Sequence, residues 1–424
     1  MRGVRWLLAL LLTGLFVPLA CDVYSESLLK SEHAKGAPIP RDQWGSGLGW
    51  WSYKRADGCV SAGMPTVEDR PKNTPSGDVG ELVFALRSMA LGSLDRKGEP
   101  TDGAWKNLGF DLDGLCSLSP TCKSNDEAFA CDPATGQSPD GNECRDNTFG
   151  HLEADAVSLQ GIGKDFGLSN DAFDCALCKG DYNFVFRVTK WNGQPNDDSV
   201  RVDLYPSPGL EKERGAWKCD MDAPVGSWKK NGCWTIDDRF TIQTGTYDGT
   251  LTGESLPPAN LNDPSAYVRE GYIVAQLPEN TLFWFPGKSA AWAYPLKLQR
   301  GFVVGKLEQV DGEWRISDGT IAGRARSSDL IESFGQLGLC PGHPLYALAT
   351  GQLGLNADVI WNGVNDDSER CDSLSVGIGF EAAQAKFAGA PRDPVSLPGC
   401  PADGGADASP PVSDGGGGAG GSGD

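Results

Sequence analysis

Hydrophobic and polar residues alternate along several stretches in the middle of the chain, and this alternation predicts β-strands. Apolar side chains stand at every second position in 184–188 and again in 200–204, which is the period of a half-buried strand. Residues 191–199, between these stretches, are rich in turn formers, so the pair predicts a hairpin. Further runs of this kind predict strands at 81–86, 110–113, 272–277, 282–285, 302–307 and 314–316.

Helical periodicity is rarer and predicts two short helices. Residues 147–163 carry apolar side chains at roughly helical spacing, and a second helix is predicted to be capped by Asp329, with Glu332 three residues later. The short alternating runs, with 56 glycines and 28 prolines, favour an all-β or β-rich fold. We expect residues 78–400 to form one large, jelly-roll-like β-sandwich with long loops; a pair of smaller β domains is the alternative.

The two ends of the chain differ from this body. Residues 1–20 have the parts of a secretory signal peptide, namely two arginines, an apolar run and Leu19-Ala20 before a cysteine. The apolar run is shorter than the roughly 20 residues that a membrane-spanning helix needs. Residues 21–77 are expected to form a tether and an irregular arm, and the Gly-, Asp- and Ser-rich residues 401–424 a disordered tail.

The end of this signal, Ala20-Cys21, resembles the lipobox of bacterial lipoproteins, in which a small residue precedes a cysteine that becomes lipid-modified. The resemblance implies a lipid on Cys21, attachment to a membrane, and a place in the cell envelope facing the periplasm or the exterior. Ordinary cleavage after Ala20, which would release a free protein, is the alternative. The cysteine count favours lipidation, because the chain has 13 cysteines and only an even remainder can pair completely in an oxidising compartment.

The other cysteines are therefore predicted to form disulfides that pin the long loops. They are Cys59, Cys116, Cys122, Cys131, Cys144, Cys175, Cys178, Cys219, Cys233, Cys340, Cys371 and Cys400. Cys219 and Cys233 flank a short turn-rich segment and are expected to pair with each other. Cys175 and Cys178 form a CxxC pair that admits a redox dithiol or half of a zinc knuckle, although bridges to other cysteines are favoured in an exported chain.

The chain is strongly acidic. Removal of the signal, with its two arginines, would leave 35 of the 37 basic residues against 57 acidic ones, a formal net charge near −22. Nucleic acid is not expected as a partner, because phosphate binding draws on clusters of Lys and Arg and the sequence shows none. An acidic exported protein is suited instead to capturing divalent cations.

The densest group of polar residues predicts a candidate Ca²⁺ site. Asp111 and Asp113 stand two apart, so that both carboxylates face the same way on an extended strand. Asp140, Asn142 and Asp146 follow in a loop bracketed by cysteines. Hard oxygen ligands that converge from cross-linked loops are what Ca²⁺ requires. The alternative is a set of solvated carboxylates in turns.

The pair of Asp111 and Asp113 also admits an enzymatic interpretation. Retaining glycosidases use two carboxyl groups roughly 5 to 5.5 Å apart. Asp111-Leu112-Asp113 resembles a fragment of the strand of alternating acidic residues in one jelly-roll glycosidase family, although the flanking glutamates of that family are absent here. That resemblance implies a hydrolase that acts on polysaccharide.

A short motif occurs twice. The letters WNG followed shortly by NDDS stand at 191–199 and again at 361–368. Either the two segments share turn chemistry alone, or their aromatic and amide side chains bind a ligand, since aromatic faces stack on sugar rings. The candidate ligand-binding residues are Trp191, Asn192, Trp361 and Asn362.

These features together predict an exported envelope lipoprotein, and they favour a binding protein over an enzyme. Its expected partners are a membrane, through the lipid, and a surface glycan or another envelope protein. The body also resembles exported bacterial proteins of unknown function that carry an aspartate-rich, cysteine-flanked segment, which implies no particular activity. A polysaccharide hydrolase and a purely structural envelope protein are the alternatives.

Overall fold

The computed structural model describes residues 37–43, 48–96, 100–122, 129–133, 138–158, 170–212, 233–251, 255–285, 294–336, 340–393 and 400. Cys21, Cys219 and the sequences predicted to be the signal peptide and the tail lie outside these residues.

The described strands and helices follow one another in a chain dominated by β-structure. The strands are β1 (Ala37–Pro38), β2 (Tyr53–Lys54), β3 (Val60–Ser61), β4 (Leu82–Ala90), β5 (Cys131–Asp132), β6 (Asn183–Thr189), β7 (Asp197–Ser207), β8 (Arg239–Phe240), β9 (Leu261–Arg269), β10 (Tyr272–Gln276), β11 (Thr281–Phe285), β12 (Tyr294–Val310), β13 (Glu313–Arg326), β14 (Asp366–Arg370), β15 (Ser373–Gln384) and β16 (Lys386–Phe387). The helices are α1 (Thr148–Ser158), α2 (Asn170–Lys179), α3 (Ser327–Gln336) and α4 (Pro344–Leu355), with 3-10 turns at Arg41–Gln43, Val67–Asp69, Ala104–Asn107 and Asn142–Cys144. Among the described helices, none is both long enough and apolar enough to span a membrane.

Eight strands form one antiparallel sheet that closes on itself. Neighbours follow the order β10-β9-β7-β6-β4-β15-β13-β12, and β12 pairs again with β10. The first residues of β12 pair with β11, whereas later ones pair with β10. The predicted β-rich class is confirmed. The predicted jelly-roll-like sandwich is wrong, because the described strands form a closed eight-stranded barrel rather than two stacked sheets.

The curvature that closes the sheet has a local cause in β12. Its register against β13 shifts between Gln299 and Phe302. Such bulges bend a strand and increase its twist, which lets a sheet curl. Gly301 lies in this shift, and a Cβ on Gly323 of the facing strand would stand only 3.0 Å from the Gly301 Cα. Glycine at both positions therefore allows the two strands to approach closely at the bend.

The inside of the barrel is filled with side chains. Alternate residues of the strands form one contiguous apolar core that includes Phe84, Phe184, Phe186, Phe283 and Phe380. The rings of Phe186 and Phe380 stack with their centroids 5.6 Å apart. Because large aromatic side chains occupy the interior, the polar groups that could carry a function lie in the segments that cover the outside.

The opposite faces of several strands point outward and are covered by loops and by the N-terminal arm. On one side, the outward residues Tyr267, Phe302 and Val304 share an apolar cluster with Trp51 and Phe110. The rings of Trp51 and Phe110 are 5.8 Å apart in an edge-on arrangement. This packing brings the segment after Phe110, with its carboxylates, against the outer wall of the barrel.

Several predicted elements are found with small differences. The predicted hairpin is confirmed as β6 and β7, in which Phe186 pairs with Leu204. Helix α1 begins at Thr148, close to the predicted start, and residues 159–163 of the predicted segment lie outside the described residues. Helix α3 begins at Ser327, so Asp329 lies in its first turn and is not its N-cap.

The predicted disulfide framework is confirmed for the described cysteines. The described pairs are Cys59–Cys122, Cys116–Cys144, Cys131–Cys371, Cys178–Cys233 and Cys340–Cys400, and Cys175 is disulfide-bonded as well. The expected pairing of Cys219 with Cys233 is wrong, because Cys233 bonds Cys178 at the end of α2. The Trp234 amide donates a hydrogen bond to the Cys178 carbonyl at 3.0 Å and holds the two segments together. Both cysteines of the CxxC pair are thus structural.

Candidate functional site

The segment that carries the first two candidate carboxylates is fixed by backbone pairing on both sides. Asp111 donates its amide hydrogen to the Ala62 carbonyl at 3.0 Å, and Asp146 donates its own to the Phe110 carbonyl at 2.9 Å. The buried side chain of Leu112 anchors the segment in the apolar cluster on the barrel wall. Gly114, with a φ of 75°, then turns the chain. Three segments distant in sequence therefore meet here.

An open edge of β15 positions the rest of the site. Strand β4 pairs with β15 only from Gly379 onward, so the earlier amides of β15 on that side bond to loop side chains. The Gly377 amide donates to Asn147 Oδ1 at 2.8 Å, and the Ser375 amide donates to Asp358 Oδ1 at 2.8 Å. A Cβ on Gly377 would stand 2.4 Å from the Gly109 Cα. Only glycine at 377 lets the segment before the carboxylates lie so close to the strand.

Three carboxylates converge at this place. Asp111, Asp113 and Asp146 each offer an oxygen atom, and these atoms all lie within 4.8 Å of one another. All three residues are buried, with at most 6% of their surface exposed. Asp111 accepts hydrogen bonds from Ser61 Oγ at 2.5 Å and from the Gly114 amide at 2.7 Å. The group is therefore built into the loops and is not a set of solvated turn residues.

Asp140 and Asn142 lie in the neighbouring loop. Asp140 is 4% exposed, and its Oδ2 accepts the Ser117 amide hydrogen at 2.5 Å. Burial first, and then the charge of Asp113, raises the pKa of Asp140 well above its usual range, which makes Asp140 an electrostatic neighbour of the three converging carboxylates. Asn142 begins a 3-10 turn, is half-buried, and donates its amide side chain to Asn107 Oδ1 at 2.7 Å.

Two carboxylate oxygens in this group have no hydrogen-bond donor among the described residues. Oδ2 of Asp146 accepts the amides of Leu112 at 2.6 Å and of Asp113 at 3.2 Å, but its Oδ1 accepts none. Oδ1 of Asp140 likewise accepts none from the part of the chain that is described. Both oxygens are therefore able to accept a further partner.

The electrostatic environment shows how much negative charge the site holds. Burial, followed by the charge of Asp113, raises the pKa values of Asp111 and Asp146 well above their usual range. Burial also raises the pKa of Asp358 to about 6. These shifts are the response of carboxylates that lose water and repel one another.

Two arginines lie close to this charge. The buried Arg324 donates to the Leu112 carbonyl at 2.8 Å, and Arg55 donates to the Gly114 carbonyl at 2.6 Å. Burial, with the neighbouring Arg300, lowers the pKa of Arg324 to about 10. Arg324 and Arg55 thus help to neutralise the site while their hydrogen bonds fix its backbone.

The geometry does not suit the glycosidase interpretation of Asp111 and Asp113. Their oxygens are near enough to each other, but the side chains are only 2% and 6% exposed, and backbone amides and Ser61 bind them. A sugar ring must lie between the two carboxyl groups of a glycosidase for acid and nucleophile to act. Carboxylates buried to this extent leave no room for such a ring between them.

Trp191 and Asn192 lie in a turn at the outside of the barrel. Trp191 is 2% exposed, and its ring packs edge-on against Trp314 with the centroids 4.8 Å apart. The Asn192 side chain accepts the Gln194 amide hydrogen at 2.8 Å and donates to the Pro75 carbonyl at 2.9 Å. Both residues therefore organise the β6–β7 turn and its contact with the N-terminal arm, and the Trp191 ring has no face open to a sugar.

Trp361 and Asn362 occupy a more open place. Trp361 is half-buried, and the guanidinium of Arg326 lies 3.8 Å from its ring centroid. Asn362 Oδ1 accepts the Val364 amide hydrogen at 2.8 Å. Asn192 Oδ1 accepts the amide hydrogen of Gln194, also two residues later, in the same way. Gly193 and Gly363 share a φ near 75°. The repeated motif therefore encodes one kind of turn, in agreement with the interpretation as shared turn chemistry.

A serine, a histidine and an aspartate also meet near α1. Ser138 Oγ lies 3.1 Å from His151 Nδ1, and Asp155 lies 3.7 Å from His151 Nε2. A nucleophilic serine needs backbone N–H groups for the developing oxyanion, and the residue after Ser138 is Pro139, which has none. The imidazole is stacked on Trp105 at 4.2 Å between centroids. This contact is better explained as a link between the loop and the helix.

Sequence reasoning missed the residues that surround the carboxylates. Ser61, Arg324 and Asp358 lie 50 to more than 200 residues from Asp111 along the chain, so no local motif connects them. One signal was present, since Asp358 and Arg324 each interrupt an apolar or small-residue run, as buried charges do. No family model, no curated protein and no solved structure matches this chain, so the interpretation of the site depends on its own geometry.

Proposed function

We propose that this chain is a non-enzymatic envelope protein whose barrel is covered by loops organised around a bound Ca²⁺ ion. The ligands would be the carboxylates of Asp111, Asp113, Asp140 and Asp146. The observation that carries the proposal is the convergence of three buried carboxylates to within 4.8 Å. The Oδ1 atoms of Asp140 and Asp146 support it, because neither accepts a hydrogen bond from the described residues and each is free to bind a cation.

The charge of the group favours a divalent cation over protons alone. Taking several like charges out of water without compensation costs far more than a domain's stability allows, so such carboxylates must bind protons or a cation. Arg324 and Arg55 donate described hydrogen bonds to backbone carbonyls, and Arg55 also donates one to Asp57 outside the group. At neutral pH a divalent ion would let the carboxylates stay ionised and would replace their repulsion by attraction.

Ca²⁺ fits this donor set better than Mg²⁺. Ca²⁺ accepts six to eight oxygen ligands in irregular geometry, whereas Mg²⁺ demands a compact octahedron and keeps its water. Here the carboxylates come from irregular loops, and each is already oriented by a backbone amide. Such preorganised but irregular oxygens suit the larger ion.

The place of action remains the cell envelope in this proposal. The lipobox-like Ala20-Cys21 supports attachment through a lipid, and the disulfides support an oxidising compartment. A surface glycan or another envelope protein is the proposed class of partner. Trp361 and Asn362 are better placed than Trp191 to contact it, because Trp191 is buried.

Thermal unfolding in the presence of divalent cations tests the cation site. A site that forms only in the folded state stabilises it by about 2.7 kcal/mol at a hundredfold excess of ion over the dissociation constant. We expect Ca²⁺ to raise the melting temperature of the oxidised protein more than Mg²⁺ does at equal ionic strength. The double variant Asp111→Asn with Asp113→Asn should lose most of this difference.

The matched control removes two charges from the surface instead. Asp248 and Asp367 are exposed, so Asp248→Asn with Asp367→Asn changes the net charge equally. This control should keep the Ca²⁺ response of the unaltered protein. If Ca²⁺ and Mg²⁺ raise the melting temperature equally, or if Ca²⁺ raises it as much in the Asp111 and Asp113 variant as in the unaltered protein, the carboxylates bind no Ca²⁺.

A further inference from the structure

Two disulfides lie side by side next to the carboxylates. They are Cys59–Cys122 and Cys116–Cys144. The sulfur atoms of Cys116, Cys122 and Cys144 all lie within 4.8 Å of one another, although only Cys116 and Cys144 are bonded to each other. We propose that this four-cysteine cluster exchanges disulfides, so that a thiol that attacks Cys59 at its edge releases Cys144 beside the carboxylates.

The attack enters at Cys59 because the other sulfurs are shielded. Cys116, Cys122 and Cys144 are 5%, 7% and 0% exposed, whereas Cys59 is half-buried at the rim of the cluster. Thiol–disulfide exchange begins when a thiolate attacks an accessible sulfur. A thiolate of an external dithiol forms a bond to Cys59, breaks the Cys59–Cys122 bond and leaves Cys122 as a thiolate.

The released Cys122 thiolate then has a second disulfide beside it. Its attack on Cys116 forms a Cys116–Cys122 bond, breaks the Cys116–Cys144 bond and leaves a thiolate on Cys144, which takes a proton from water. The second thiol of the external reagent frees Cys59 and closes the reagent's own disulfide. The net result is one protein disulfide reduced, one dithiol oxidised, and a different pair of cysteines joined. Because the sulfurs are already close, the second step is intramolecular. It therefore competes well with attack by the second thiol of the reagent.

The backbone explains why the thiol should end on Cys144. Glu143 and Cys144 have φ values of 52° and 58°, a left-handed conformation that residues other than glycine and asparagine adopt at a cost. The Cys116–Cys144 bond is one of the links that holds them there. Once released, Cys144 can relax, and its thiol lies 3.5 Å from the Val60 carbonyl, an acceptor for its proton.

Exchange would act on the neighbouring carboxylates. Cys116 follows Asp113 by three residues, and Cys144 precedes Asp146 by two. Breaking their bond removes the covalent link between the two segments that bring these carboxylates together. The exchange itself involves only the four cysteines and their backbone, so it stands or falls independently of Ca²⁺ binding.

Replacing the entry cysteine tests the transfer without a reductant. In Cys59→Ser the thiol of Cys122 lies next to the intact Cys116–Cys144 bond. After alkylation and mass-spectrometric mapping of the oxidised variant, we expect severalfold more label on Cys144 than on Cys122. Label confined to Cys122, with Cys116–Cys144 intact, would overturn the proposal.

Partial reduction of the unaltered protein decides the question even where the variant fails to fold. Brief treatment with a dithiol followed by alkylation should give molecules labelled at Cys59 and Cys144, with Cys116 joined to Cys122. Label at Cys59 and Cys122 alone would contradict the transfer. The control is Cys340–Cys400, for which the described residues place no third cysteine in such a group, so reduction should label both of its own cysteines.

Discussion

At the scale of single residues, Asp146 shows how one side chain can serve two purposes. One oxygen binds the amides of Leu112 and Asp113 and shapes the loop, while the other accepts no hydrogen bond from the described residues. Replacing it with asparagine keeps an acceptor for the amides and removes one buried charge. The two purposes can therefore be separated by experiment.

We expect Asp146→Asn to have opposite effects with and without Ca²⁺. In a chelator at neutral pH the variant should be more stable than the unaltered protein, because it removes one of several buried charges that repel one another. In excess Ca²⁺ it should be the less stable of the two, because a ligand of the ion is lost. Urea unfolding with each additive measures both, and a variant equally destabilised in both conditions would assign Asp146 to loop structure alone.

Sequence reasoning could identify the carboxylates but not the residues around them. Asp111, Asp113, Asp140 and Asp146 attract attention because they are dense and stand between cysteines. Their surroundings depend on contacts across the chain, such as the 2.5 Å hydrogen bond from Ser61 Oγ to Asp111. Period and spacing describe neighbours in sequence, so they carry no information about such partners.

At the scale of elements, β15 was missed although its sequence has the period of a strand. Leu374, Val376 and Ile378 point into the core and alternate with the small residues Ser375 and Gly377. Small residues on the outer face are what allow the loops of the site to lie against the strand. The hairpin of β6 and β7 was predictable because bulky residues fill both of its faces.

A pair of glycine substitutions tests the close approach at β15. Gly377→Ala places a Cβ 2.4 Å from the Gly109 Cα, so we expect a loss of about 2 kcal/mol, as overpacking typically costs. Gly351→Ala in α4 meets nothing within 4 Å and should stabilise by about 0.5 kcal/mol through helix propensity. Denaturant unfolding compares the two. A neutral Gly377→Ala would mean that the loop can move away freely.

At the scale of the whole molecule, closure of the barrel was beyond sequence reasoning. Period-2 patterns predict that strands exist and which face is apolar, and much of that was correct. They do not say that β10 pairs with β12, or that the edge of β15 is left open for the site. Those pairings join distant segments, and a sandwich and a barrel use the same alternation.

Attachment to a membrane is a prediction for the whole chain. If Cys21 carries a lipid, the expressed protein should sediment with membranes and incorporate labelled fatty acid. Cys21→Ser should move it to the soluble exported fraction and abolish the label. Cys340→Ser is the matched control, because it makes the same substitution at a disulfide-bonded cysteine and should stay at the membrane. An unaltered protein that is already unlabelled and soluble would refute the lipoprotein assignment.

The stability of the whole molecule should depend on pH in the direction set by the buried carboxylates. Asp111, Asp140, Asp146 and Asp358 all have pKa values raised by burial, the last to about 6. The folded state therefore binds their protons more tightly than the unfolded state does, whose aspartates titrate near about 3.9. The stabilisation from these protons is complete below about pH 4 and is lost as the pH rises through the folded values.

In a chelator we therefore expect these groups to make the free energy of unfolding fall between about pH 4 and pH 7. Asp358 alone would contribute about 3 kcal/mol, since its pKa rises from 3.8 to about 6 and one unit is about 1.4 kcal/mol. Asp358→Asn should reduce the fall by a similar amount, whereas Asp367→Asn on the surface should leave it unchanged. Ca²⁺ should oppose the fall increasingly as the pH rises, because it binds only the ionised carboxylates. Urea unfolding across this pH range, in chelator and in Ca²⁺, measures how the free energy of unfolding changes with pH in each condition. If the change in chelator is the same in Asp358→Asn as in the unaltered protein, Asp358 is not one of the groups responsible.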